Sequence, residues 1–196
     1  EQYVRISWID RSEIDRQVLQ NALQRWITAF VDAGSMNSGR NFGGFLVTGA
    51  SGSGKTRTGI EIPKLLQLPP GWKSCYVGTR IHSQAEASSP LDLPSYKKAE
   101  HLLDQEAEAE RKMVAMLLKA YGVSTPTALS LQSVLKHIKE CEGVLDFETM
   151  VLYWHIDEVH RDPSFCTHLL RQLGNFMAAA DSPFVSNRIL IVPILT

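Results

Sequence analysis

The chain has 196 residues, 44% of them hydrophobic and 21% charged, which fits one domain with a sizeable core. A formal net charge of −1 argues against the strongly basic composition of a dedicated nucleic-acid binder. No apolar run is long enough to span a bilayer, so no membrane partner is expected. Cys75, Cys141 and Cys166 lie far apart without CxxC or Cys/His ligand spacing, which argues against a disulfide framework or a zinc site and for a reducing, intracellular setting.

Taken in chain order, Tyr3–Trp8 reads as a short strand or an extended lead-in. From Ser12, a candidate N-cap, the apolar residues Ile14, Val18, Leu19, Ala22, Leu23, Trp26, Ile27 and Phe30 recur at three and four. That pattern predicts a helix stopped at Asp32-Ala33-Gly34-Ser35, followed by a polar loop to Gly44, so that residues 1–44 form a helical lead-in. Phe45–Thr48 is a short buried strand, then comes a glycine-rich loop and a helix from about Gly54 to Leu66. Leu68-Pro69-Pro70-Gly71 breaks the chain, and Ser74–Gly78 is a second strand.

An irregular stretch over 80–96 leads into a long helix, Tyr96–Tyr121, closed by Gly122. A further helix is expected over Thr127–Cys141, capped by Ser124 or Thr125. Met150–Ile156 is a third strand, apolar on both faces as a central parallel strand is; Pro163–Ala180 is a helix and Arg188–Leu195 a fourth strand. Strands separated by helices predict the α/β class, a parallel sheet between helical layers, over 45–196. The chain opens on Glu1 and ends on a strand-like run, and so reads as part of something longer with a further C-terminal segment or domain.

Gly49-Ala50-Ser51-Gly52-Ser53-Gly54-Lys55-Thr56 matches GxxxxGK[ST] at every fixed position, between a strand and a helix. Glycine allows the backbone angles and close approaches such a loop needs. The loop amides, Ala50 to Lys55 included, can then form an anion nest, reinforced by the positive end of the following helix. Lys55 supplies a mobile ammonium for the β- and γ-phosphates, and Thr56 a hydroxyl for Mg²⁺. Arg57, on the first helical turn, faces either phosphate or solvent.

The other half of such a site is an Asp ending a neighbouring apolar strand, and Met150–Asp157 provides one. Asp157 is the magnesium-side carboxylate. Glu158, where the chain leaves the sheet, is the candidate general base for a water attacking the γ-phosphate, which favours hydrolysis. Thr196, following the last strand, is either a γ-phosphate or water contact or an ordinary strand-end threonine. His155 reads as a hydrogen-bonded core histidine, and His160, Arg161 and Arg80 as loop residues with access to the site. Trp26 and Trp72 read as packing residues, with a base-flanking role as the alternative for Trp72. No Asn/Thr-Lys-x-Asp base-reading motif is present, which favours ATP over GTP.

With the loop at 49–56 and the strand end at Asp157-Glu158, the chain resembles the P-loop NTPases that carry an additional strand and a catalytic Glu, the AAA-like and STAND-like ATPases. The resemblance covers about 45–196. It implies a phosphate-loop strand near the sheet centre, with Arg188–Leu195 between it and the Asp strand. More narrowly, Trp154-His155-Ile156-Asp157-Glu158-Val159 with Ile189–Thr196 is similar to the ATPase modules of Crinkler and retrotransposon hot spot proteins, members of which join such a module to a nuclease-like domain. That likeness implies nucleic acid among the partners and admits a nuclear location.

The expectation is therefore Mg²⁺-dependent ATP binding and hydrolysis, with homo-oligomerisation as one source of an arginine from a neighbour. Two alternatives stay open: a small-molecule or nucleotide kinase, although no compact Arg cluster follows Ala120, and a nucleotide-gated interaction module with little turnover.

Overall fold

The computed structural model describes residues 4–7, 16–33, 42–50, 52–81, 102–123 and 129–196. Ser12, Ser51, the 82–101 stretch with the expected helix start at Tyr96, and Ser124, Thr125 and Thr127 lie outside these residues.

Among the described residues five strands form one sheet: β1 (Val4–Ser7), β2 (Phe45–Thr48), β3 (Trp72–Arg80), β4 (Thr149–Asp157) and β5 (Ile189–Leu195). Their order is β1-β2-β5-β4-β3, and every neighbouring pair is parallel. The helices are α1 (Arg16–Ala33), α2 (Lys55–Leu65), α3 (Leu102–Ala120), α4 (Leu131–Cys141), α5 (Pro163–Ala178) and the short α6 (Pro183–Asn187). Among the described residues, no helix is long and apolar enough to cross a membrane.

The centre of the sheet follows from composition. β5 is buried along its whole length and β4 at every residue before Asp157, so both faces are covered. Parallel strands covered on two sides need apolar side chains in both directions, and Met150–Ile156 and Ile189–Leu195 supply them. α1 rests beside α2, and α2 lies over β2 and β4; α3, α4, α5 and α6 pack among themselves. The result is a parallel α/β sheet flanked by helices, with an N-terminal helix. In α1, Leu19, Ala22, Leu23 and Ile27 make the buried stripe, and Trp26 meets Phe45 of β2 at 5.2 Å between ring centroids.

Side chains cap the starts of α4 and α5. Ser130 accepts from the Ser133 amide at 3.2 Å to open α4, and Asp162 accepts from the Phe165 amide at 2.9 Å to open α5, with Pro163 at its first position. The expected α4 start at Thr127, with a Ser124 or Thr125 cap, is corrected: Leu129 and Ser130 are not helical. The buried stripe of Leu131, Val134, Leu135 and Ile138 begins only at Leu131, and Ser130 immediately precedes it. β3 is longer than its apolar run because it pairs with β4 residue by residue from Trp72–Thr149 to Arg80–Asp157. Trp72 thus sits at the opposite end of the sheet from the glycine loop, against Phe184 at 6.1 Å, which corrects any base-flanking role for it.

Lys139 holds the lower end of the sheet. Its Nζ is buried and donates to the Asp146, Glu148 and Asn187 carbonyls at 3.3, 2.8 and 2.8 Å, tying α4 to the chain entering β4 and the turn before β5. Lys139→Met leaves those carbonyls without their donor, and is expected to cost about 2–4 kcal/mol of stability, read as a lower urea midpoint.

Candidate functional site

In an all-parallel sheet the strand C-termini share one edge, and that edge collects the chemistry. β2 runs into the glycine loop, β4 ends on Asp157, β3 ends on Arg80, and Thr196 follows β5. Within the loop, Gly52 and Gly54 have φ of 74° and 84°, left-handed conformations that side chains rarely adopt. Gly54 is the residue from which α2 departs. The loop therefore turns directly into a helix N-terminus, whose first amides lack helical partners.

Lys55 Nζ donates back to the Gly49 and Ala50 carbonyls at 3.2 and 3.0 Å, which brings its ammonium over the start of the loop. Ser53 Oγ is buried and has no hydrogen-bond partner among the described residues, an unmet polar group inside the loop. Arg57 is exposed on the first turn of α2.

Thr56 and Asp157 meet although they lie 101 positions apart: the Thr56 hydroxyl is 3.0 Å from both carboxylate oxygens. Oδ1 of Asp157 also accepts from Thr196 Oγ1 at 2.7 Å and from the Glu158 amide at 3.0 Å. Burial pushes the Asp157 carboxyl up, but donors from Thr196, Thr56 and the Glu158 amide outweigh it and hold the group below the usual carboxylate range. The residues suit a magnesium ion. A hydroxyl that donates to Asp157 keeps its lone pairs for a cation, and among the described residues Oδ2 accepts only from Thr56. Among the described residues no group of three or more His, Cys, Asp or Glu could hold a metal alone, so such an ion would draw on phosphate oxygens and water as well.

Glu158 leaves the sheet with φ 62°, an uncommon conformation for a side-chain-bearing residue. Its Oε2 accepts from Arg161 Nε at 3.1 Å and its Oε1 from Arg80 at 3.1 Å, with His160 Nε2 3.4 Å from Oε2. The Arg161 hydrogen bond, with that of Arg80, holds the carboxyl below its ordinary range against the opposing effect of burial. This clamp is the part of the site that the sequence did not disclose. Arg80 and Arg161 are 78 and three positions from Glu158, and only the β3–β4 register brings Arg80 alongside.

His155 is buried, with both ring nitrogens bonded: Nε2 to Thr196 Oγ1 at 2.9 Å and Nδ1 to Tyr76 Oη at 2.6 Å. Burial lowers its pKa, against the opposing effect of the Asp157 charge. α2 approaches it closely at Gly59, where a Cβ would fall 2.5 Å from Nε2. Gly59→Ala is therefore expected to destabilise the fold by roughly 2 kcal/mol despite the better helix propensity of alanine, measured by thermal unfolding. Of the residues singled out from sequence, Gly49, Ala50, Gly52, Ser53, Gly54, Lys55, Thr56, Asp157, Glu158 and Thr196 thus converge on one edge; Ser51 lies outside the described residues.

Comparison with known proteins decides nothing further. No protein family, curated protein or solved structure matches this chain. The reading rests on the site itself.

Proposed function

We propose that the chain binds Mg-ATP at this edge and hydrolyses it, as a P-loop ATPase domain with the catalytic-Glu arrangement. The observation that carries the reading is the contact of Thr56 with Asp157, joining the glycine loop to the acidic strand end. A glycine-rich turn without a ligand has no need of a lysine over its carbonyls, an unmet buried hydroxyl and a strand-end carboxylate held against the first turn of its helix.

In this reading the amides of residues 50–55 and Lys55 hold the phosphates, and Thr56 and Asp157 hold magnesium, which when bound neutralises charge developing on the phosphate oxygens. Glu158 takes a proton as a water oxygen bonds to the γ-phosphorus. The bond from phosphorus to the bridging oxygen breaks, and ADP leaves with that electron pair. To act so, Glu158 must release at least one of its two arginines. That clamp favours, as a second reading, a nucleotide-gated interaction module with little turnover. The Crinkler-like affiliation and a nucleic-acid partner remain proposals carried by the sequence resemblance alone.

Phosphate release from ATP with Mg²⁺, with and without added hydroxyl acceptors, tests the proposal. Release to water that stops with EDTA supports it. Transfer to an acceptor would replace the hydrolase reading with a kinase, and binding with no release would favour the gated module.

A further inference from the structure

Three side chains outside the phosphate-binding set form a continuous line into it. Tyr76 lies on β3, His155 on β4 and Thr196 just past β5, three neighbouring strands of the sheet. Paired residues of parallel strands face the same side, so Tyr76, opposite Tyr153, and Gly78, opposite His155, share the face of His155 and Asp157. Tyr76 leans one pair along the strand to reach His155, across Gly78, where a Cβ would come 3.3 Å from its hydroxyl. Gly59 of α2 also lies against the imidazole. Two glycines and two hydroxyls thus frame the ring.

The direction of every bond in the line follows from the proton count. Ionised Asp157 offers no proton, so the Thr196 hydroxyl donates to Oδ1 at 2.7 Å. Its single proton being used, Thr196 accepts from Nε2, which therefore carries a proton. Nδ1 then accepts from the Tyr76 hydroxyl at 2.6 Å. Tyr76 is 39% exposed, so the line starts at the protein surface and ends on the carboxylate.

We infer that Tyr76, His155 and Thr196 form a directed hydrogen-bond relay that sets the rotation of the Asp157 carboxylate, making Tyr76 and His155 positioning residues for the cation at the nucleotide site. The inference rests on the Mg-ATP reading above. Its physical basis is the inequality of the two oxygens: among the described residues Oδ1 accepts from Thr196, the Glu158 amide and Thr56, whereas Oδ2 accepts from Thr56 alone. Thr196 pins the first oxygen, and the second is left to face the cation and its water. His155 prevents the Thr196 hydroxyl from turning away, and Tyr76 prevents the ring from turning over. Partners of this kind around a metal ligand typically change metal affinity on the order of 10- to 100-fold when removed.

The test measures the Mg²⁺ concentration that half-saturates binding of a fluorescent ATP analogue, with binding in EDTA as the reference. His155→Leu is expected to raise that concentration about 10-fold and Tyr76→Phe about 3-fold, with binding in EDTA unchanged. His155→Gln, whose amide can donate to Thr196 as Nε2 does, is expected to restore most of the parental value. A merely structural role would lower the thermal midpoint of both His155 variants without separating their Mg²⁺ requirements. Imidazole ¹⁵N shifts of the parent, which need no nucleotide, are expected to show the Nε2-protonated neutral ring. An Nδ1-protonated ring overturns the relay, as does a parental Mg²⁺ requirement in all three variants that bind the analogue normally, an outcome that leaves the ATP reading standing. A parent that binds no Mg-ATP overturns both.

Discussion

Glu158→Gln is expected to lower ATP turnover at least about 100-fold while leaving Mg-ATP affinity within about threefold of the parent. The substitution keeps the shape of the side chain and one acceptor oxygen but removes the charge that takes a proton from water. It also weakens the contacts with Arg80 and Arg161, because both guanidiniums now donate to a carboxylate, at 3.1 Å each. Binding should survive because no loop amide, Lys55 or Thr56 depends on Glu158. Steady-state phosphate release and analogue titration on the same preparation separate the two effects. Unchanged turnover would remove Glu158 from the mechanism, and the arginine clamp would then be a structural tie between β3 and the 3₁₀ turn Val159–Arg161.

Asp157→Asn carries the second large effect. The parent's affinity for the ATP analogue should fall at least about 10-fold when EDTA removes Mg²⁺, whereas the variant should bind about equally with and without the ion. Three donors converge on this carboxylate, from Thr56, Thr196 and the Glu158 amide, and an amide has one oxygen to offer them. The variant is also expected to lose stability at neutral pH. A carboxylate held below its ordinary range stabilises the fold above its unfolded pKa, and that contribution is lost as pH falls through the lower folded value. The stability gap between parent and variant should therefore shrink in acid, as followed by urea unfolding at a series of pH values. A variant that keeps the full Mg²⁺ dependence of the parent would mean that Asp157 does not serve the cation.

How much of this was legible in the sequence differs by element. β2, the loop and α2 could be read almost residue by residue, because glycines and a strand-to-helix change punctuate the chain locally. β4 and β5 showed as apolar runs, yet nothing in such runs orders strands within a sheet. The expectation that Arg188–Leu195 lies between the loop strand and the Asp strand came from the resemblance, and β5 does lie between β2 and β4. α4 was started too early because the Ser/Thr residues from Ser124 to Ser130 offer several caps, and only the onset of the buried stripe chooses among them. α6, five residues long, is too short to show a helical period, though Ser182-Pro183 is the cap and first-position pair that could have marked it.

The site divides in the same way. Lys55 and Thr56 belong to a pattern of fixed spacing and Asp157 ends an apolar strand, each with a chemical reason for its position, so they could be named without a structure. Arg80 and Tyr76 could not be given their roles, because their partners are 78 and 79 positions away and meet them only through the parallel register of β3 with β4. His155 read as a bonded core histidine and is one, but its bonds lead from an exposed tyrosine to the acidic strand end. Contacts set by strand order are the ones a local pattern leaves out.

The most direct test of the central claim is titration of a fluorescent ATP analogue with Mg²⁺ into the parent and Lys55→Ala. The ammonium lies over the loop, 3.2 and 3.0 Å from the Gly49 and Ala50 carbonyls, where bound phosphates would replace those acceptors. Saturable binding by the parent, weakened about 10- to 100-fold in the variant with its fold intact by circular dichroism, is the predicted result. Equal binding by both proteins, or by neither, would contradict the account, because the loop would then not be a working phosphate site.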